Sequence, residues 1–228
     1  MGIKGSDLRI GAQQDEGGTA QAEAAFVIDV AVTENHGFQG DVSFADTDHG
    51  LIGTVAAHAY MTPKAGQRYG LFASLSDIDG TAMTWGHIGA EGMLAVGDSA
   101  VVEGRAGMGL SDVDGLDYIF VGGAVAVEAS PAVEFVFHAD LTEFDETDFR
   151  AVSYDTGVTT RFSPRGAPWG LYASLTESGL AGRDGRAGQT RIGLGLTMTF
   201  GETGGIDPYT RPFRSPDPVA PLVRRNLW

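Results

Sequence analysis

Residues Arg191–Phe200 read RIGLGLTMTF, and this stretch decides the fold. On an extended chain Ile192, Leu194, Leu196, Met198 and Phe200 point one way, while Arg191, Gly193, Gly195, Thr197 and Thr199 point the other. Successive side chains of a strand face opposite sides, so this period of two describes a sheet with one apolar face. The pattern recurs upstream. In VEFVFHADL, Val133, Phe135, Phe137, Ala139 and Leu141 alternate with Glu134, Val136, His138 and Asp140. In VVEGRAGMGL, Val102, Ala106, Met108 and Leu110 oppose Glu103, Arg105, Gly107 and Gly109. Phe26, Ile28, Val30 and Val32 flank Asp29, and Val152, Tyr154 and Val158 flank Ser153, Asp155 and Gly157.

Read outward in this way, the chain holds twelve strands, near 7–14, 20–33, 37–46, 50–62, 67–76, 83–97, 99–111, 116–129, 131–143, 149–162, 167–177 and 188–200. Many have the roughly 9–11 residues that cross a hydrocarbon layer at a tilt. The turns between them fall into two classes that interleave. One is acidic, as in Gln14–Gly17, Asp46–Gly50, Asp77–Gly80, Asp112–Gly115 and Glu143–Asp148. The other includes Glu34–Gly37, Pro63–Gly66, Gly97–Ser99, Ser130–Pro131 and Ser163–Pro168. Alternate turns of a meander lie at opposite ends, so sorting by parity is what an up-and-down sheet produces.

Composition narrows the function classes. The 228 residues contain no cysteine, which excludes disulfides, thiolate metal sites and cysteine nucleophiles. A formal charge of -15 repels nucleic acid. No segment approaches the run of about 18 apolar residues that a membrane helix needs. The start, MGIKGSDLRIGAQ, has no apolar signal core, so for an exported protein these residues are expected to be the mature part.

A sheet with one apolar face must bury it, and no amphipathic helix is evident to cover it. Lipid outside and an enclosed lumen inside satisfy both faces, and closure removes the edges. The expected fold is therefore all-β: a closed antiparallel transmembrane barrel over residues 1–200, with about twelve strands and ten to twelve compatible. The expected lumen wall carries Asp29, Asp41, His58, His87, Glu91, Glu103, Arg105, Glu134, His138, Asp140, Asp155, Arg161 and Arg191. A dry core would penalise so many charges, whereas a wet lumen carries them. Tyr60, Tyr69 and Trp169 beside one class of turns, with Trp85 and Phe149 near the other, are expected to form interfacial belts.

GLFASLSD (70–77), GLYASLTE (170–177) and the closing RIGLGLTMTF resemble the small outer-membrane barrels of the bacterial porin-like superfamily, whose last strand alternates and ends in Phe. The resemblance covers roughly residues 7–200. It implies a bacterial outer-membrane location, periplasmic termini and Pro-containing turns, and acidic loops outside, against lipid and lipopolysaccharide.

The chain departs from that pattern in its tail, GETGGIDPYTRPFRSPDPVAPLVRRNLW, residues 201–228. Five prolines exclude a regular helix or central strand. Arg211, Arg214, Arg224 and Arg225 contrast with the acidic body. A disordered periplasmic extension is one expectation. The sharper one is a docking segment that folds against the periplasmic mouth or grips another envelope protein through Tyr209, Phe213, Leu222 and Trp228.

The function expected from these features is passive diffusion of small hydrophilic solutes. Asp29, Glu91, Glu103, Glu134 and Asp140 would favour cations, offset by Arg105, Arg161 and Arg191. The alternative is a non-conducting barrel that anchors an envelope complex through its tail, and self-association into a homo-oligomer is compatible with either. An enzyme is not expected: there is no GxSxG elbow, and His138, Ser153 and Asp155 are the residues a hydrolytic triad would draw on. No cofactor fingerprint is present, and the acidic loops lack full EF-hand spacing, so no metal site is assigned.

Overall fold

The structure, a computed structural model, describes residues 2–18, 20–80, 83–112, 116–145 and 149–227. Twelve strands follow in order: β1 (Gly2–Asp15), β2 (Ala20–Ala31), β3 (His36–Thr47), β4 (Gly50–Lys64), β5 (Gln67–Ile78), β6 (Thr84–Val96), β7 (Ala100–Ser111), β8 (Asp117–Ser130), β9 (Val133–Asp145), β10 (Arg150–Phe162), β11 (Trp169–Ala181) and β12 (Arg186–Gly201). Each pairs antiparallel with its chain neighbours, and β1 pairs with β12 to close the barrel. The closing register sets Ser6 opposite Phe200, Ile10 opposite Leu196 and Asp15 opposite Arg191. Among the described residues closure leaves no strand at an open edge, as a hydrocarbon surround demands.

β1 starts five residues earlier than the pattern indicates. GIKG alternates poorly, yet Gly2 and Ile3 pair with Ala31 and Val30 across a bulge before Gly5. A register fixed by the neighbouring strand overrides weak local alternation.

The predicted apolar face points outward and lies bare. Ile192, Leu194, Leu196, Met198 and Phe200 are 41–64% exposed, and Phe137 and Leu141 on β9 about half exposed. No second protein layer covers them among the described residues. The aromatic belts need a correction: Tyr69 and Trp169 face outward, but Tyr60 and Trp85 are buried inside the barrel, and Phe149 is partly buried against its interior cluster.

Glycine lets inward aromatic rings lie flat on the wall. The Tyr172 ring on β11 crosses β12 and β1, where an added Cβ at Gly195 would lie 2.4 Å from Cε1 and one at Gly11 would lie 1.9 Å from the hydroxyl. Only residues without side chains permit that approach. Tyr172 thereby reaches β2 and donates to Glu23 Oε1 at 2.5 Å.

The tail is neither the disordered extension nor a segment lying against the mouth: it docks on its own barrel by turning into the lumen. Phe213 is 2% exposed, and Val219, Leu222 and Val223 are completely buried. The short helix α1 (Ala220–Val223) packs with Ile78, Met83, Trp85, Leu116, Phe144, Ala151 and Leu180. Those residues lie near the acidic turns, at the end opposite Gly201 where the tail enters. The tail thus runs the height of the lumen.

Candidate functional site

The interior is built from the inward residues of the strands together with the tail they hold. Every residue expected to line the lumen faces inward. Asp29, Asp41, His58, His87, Glu91, Glu103, Arg105 and Arg191 are buried, and Glu134, His138, Asp140, Asp155 and Arg161 are partly buried. They face the tail or one another more than a wide water column.

At the entry, Arg68 on β5 donates to the carbonyls of Tyr209 and, at 2.9 Å, Arg211. Asp29 accepts from Tyr60 and Arg68, holding that guanidinium in place. Lys4 Nζ donates to the Tyr209 carbonyl and sits 3.6 Å from the Tyr209 ring centroid. Arg211 then forks onto Glu134, with Nη1 to Oε2 at 2.7 Å and Nη2 to Oε1 at 3.4 Å.

Midway, Gln39 on β3 brackets one residue of the tail. The Phe213 N–H donates to Gln39 Oε1 at 2.8 Å, and Gln39 Nε2 donates to the Phe213 carbonyl at 2.9 Å. The same Nε2 also donates to Asp41. The Phe213 ring stacks on His58 at 5.9 Å and meets Tyr60 edge-on at 6.3 Å, with Met93 and Val101 completing the pocket. Arg214 donates from Nη2 to Asp140 at 2.9 Å and from its backbone N–H to Glu103 at 3.2 Å, while Arg105 pairs with Glu103. Further in, Trp85 Nε1 donates to Asp217 Oδ1 at 2.9 Å, and that oxygen also accepts the Val219 and Ala220 N–H groups.

His58 stands between two carboxylates. Its Nδ1 lies 2.7 Å from Glu91, and its Nε2 lies 3.1 Å from Asp41 and 2.9 Å from Ser215 Oγ. The Ser–His–acid spacing invites a nucleophile reading, but the Ser215 hydroxyl donates to Asp41. The hydroxyl proton is thus committed to a carboxylate rather than to a ring nitrogen, and each ring nitrogen already faces a carboxyl group. The group acts as a clamp. In the other candidate set, His138 and Asp155 meet at 3.0 Å, but Ser153 has no hydrogen bond to either among the described residues.

Beside the tail remains a cavity of about 470 Å³ lined by residues of β1–β4 and β8–β12 together with the tail itself. Its charges are paired: Arg9 with Glu23 at 2.7 Å, Arg161 with Asp7 at 3.0 Å and Arg191 with Asp155 at 3.0 Å. Arg224 of the tail also lines it, and its Nε has no hydrogen-bond partner among the described residues.

Lys4, Arg68 and Gln39 on the wall, and Ser215 and Asp217 on the tail, are lumen residues that the sequence pattern did not single out, and Trp85 joins them from its expected place in a belt. Arg68 and Gln39 occupy inward register positions, which alternation alone could have flagged. The tail residues carry no periodic signal. Of the four tail anchors expected, Tyr209 holds the wall through its carbonyl, and Phe213 and Leu222 are buried in the lumen. Trp228 lies outside the described residues, as do 113–115 and 146–148 of the acidic turns.

The barrel is similar to solved porins. A NanC porin matches with a TM-score of 0.65 at 8% identity, over 85% of this chain and 98% of that one. A KdgM porin, solved in complex with disordered oligogalacturonate, matches with a TM-score of 0.59 at 14% identity over the same shares. The COG4313 outer membrane channel from Pseudomonas putida F1 gives a TM-score of 0.58 at 11% identity, over 88% of this chain and 96% of that one. No protein-family model matches the sequence, and no curated protein matches it. At such identities the likeness is one of fold. The chain has the fold of the small porin-like barrels of the bacterial outer membrane.

Proposed function

We propose that the chain is an outer-membrane channel for small hydrophilic solutes that its own C-terminal segment holds closed. The observation that carries this is the match between tail cations and wall carboxylates: Arg211 on Glu134, and Arg214 on Asp140 and Glu103. When the tail withdraws, those carboxylates face water and favour cations in the opened lumen. The exposed apolar belt suits a bilayer, and the acidic turns suit divalent cations that bridge to anionic lipopolysaccharide.

Planar-bilayer recording tests this on protein carrying a specific protease site between Gly204 and Gly205. Cleavage at raised salt should release the tail, produce larger conductance steps and shift the reversal potential toward the cation side. Neutralising Glu91, Glu103 and Glu134 together should reduce that preference.

A second reading is favoured by the apolar cap around Val219, Leu222 and Val223, which stoppers the acidic end. On this reading the barrel is a non-conducting structural element of the envelope. Persistent silence after verified tail release selects it.

A further inference from the structure

The lumen holds the tail as a receptor holds a peptide. Residues 209–217 are nearly free of secondary structure, and the wall reads them by three separate means. Gln39 and Arg68 bind backbone groups, which fixes an extended path without regard to side chains. A pocket of His58, Tyr60, Met93 and Val101 takes one aromatic ring. Glu134 and Asp140 take two guanidinium groups, three residues apart in the chain. Peptide recognition elsewhere divides the same way, with main-chain bonds giving affinity and pockets giving specificity.

The wall also has more acceptors than the tail uses. Asp140 Oδ1, Glu103 Oε2 and Glu91 Oε2 are buried without a hydrogen-bond partner among the described residues. Prolines at 208, 212, 216 and 218 restrict the free segment toward extended conformations, so less entropy is lost on docking.

We infer that the lumen is a binding site for extended, proline-containing peptides bearing arginines, and that the tail is its tethered occupant. An untethered peptide of that chemistry then competes for the site. The inference takes the channel reading only so far as passage is concerned, because binding stands without conduction.

The test uses the full-length chain with R211E and R214E, which sets like charges against Glu134 and Asp140 and expels the tail. A synthetic peptide of residues 203–228 with a fluorophore at its N-terminus is titrated in detergent, and anisotropy is read. Saturable binding to the variant is expected. The same peptide with R211Q and R214Q should bind about tenfold more weakly or worse, because two charge-assisted contacts are lost. Unmodified protein, whose lumen is occupied, should bind little. Should the double variant fold poorly, protein folded first, cut at an introduced protease site between Gly204 and Gly205 and stripped of its tail at raised salt serves instead, with heat-modifiable migration checking the barrel and mass spectrometry checking that the tail has gone. Equal binding of native and neutralised peptides, or equal binding by occupied and emptied barrels, overturns the inference. Binding without any change in conductance upholds it and counts against the channel reading alone.

Discussion

Arg211 and Glu134 form a two-point pair across the lumen, 77 residues apart in sequence, with the closer contact at 2.7 Å and both side chains largely shielded from solvent. A forked pair fixes orientation as well as proximity. It therefore holds the tail where it enters the barrel, just before Phe213 reaches its pocket.

Replacing Glu134 with Ala leaves the Arg211 guanidinium with the Gly205 carbonyl as its remaining hydrogen-bond acceptor among the described residues. The loss should weaken docking by about 2 kcal/mol, the scale of a hydrogen bond to a charged group. Hydrogen exchange at the Phe213 amide should accelerate correspondingly. The swap R211E with E134R should recover most of the protection, and a general folding defect would not be recovered that way.

Gln39→Leu keeps the volume but removes both bonds to Phe213. Each stranded backbone group costs about 1–3 kcal/mol when buried. Tail amides from Arg211 to Ser215 should lose protection, while amides of β3 and β4 keep theirs because their ladder is untouched.

Gly195→Ala and Gly104→Ala should separate sharply. A Cβ at Gly195 meets the Tyr172 ring and the Ile10 carbonyl at 2.3 Å, whereas one at Gly104 meets nothing within 4 Å. Overpacking of this kind costs about 1–3 kcal/mol. The first variant should show lowered thermal stability in detergent and the second should behave as the parent.

The turn between β11 and β12 gives a pH signature. The Arg150 backbone N–H, and then the Arg183 side chain, hold the Asp184 carboxyl below its ordinary 3.8. A carboxyl depressed on folding stabilises the folded form above its unfolded pKa, and that contribution disappears as pH falls through the folded value. Exchange of the Arg150 amide should thus stay slow through the weakly acidic range and rise only below the usual carboxylate titration. D184N should abolish that step.

The strands and the inward set of charges were legible because lipid and lumen impose a strict period of two, seen from Ile192 to Phe200. Trp85 and Tyr60 were misassigned because nearness to a turn does not say which side of the wall a ring occupies. The course of the tail was not legible. Its prolines and scattered apolar residues match a disordered extension equally well, and Phe213 finds its pocket among residues on β4, β6 and β7 that are far from it in sequence. The one hint was electrostatic: Arg211 and Arg214 follow a body rich in inward carboxylates.

Photo-crosslinking from position 213 tests most directly that the tail lies inside its own barrel. With p-benzoylphenylalanine in place of Phe213, irradiation of the full-length protein in membranes should yield an intramolecular link. Mass spectrometry should locate it on the peptides around Met93 and Val101, in a band that migrates as a monomer. Links formed only to lipid or to another protein, with none to β6 or β7 of the same chain, would contradict the account.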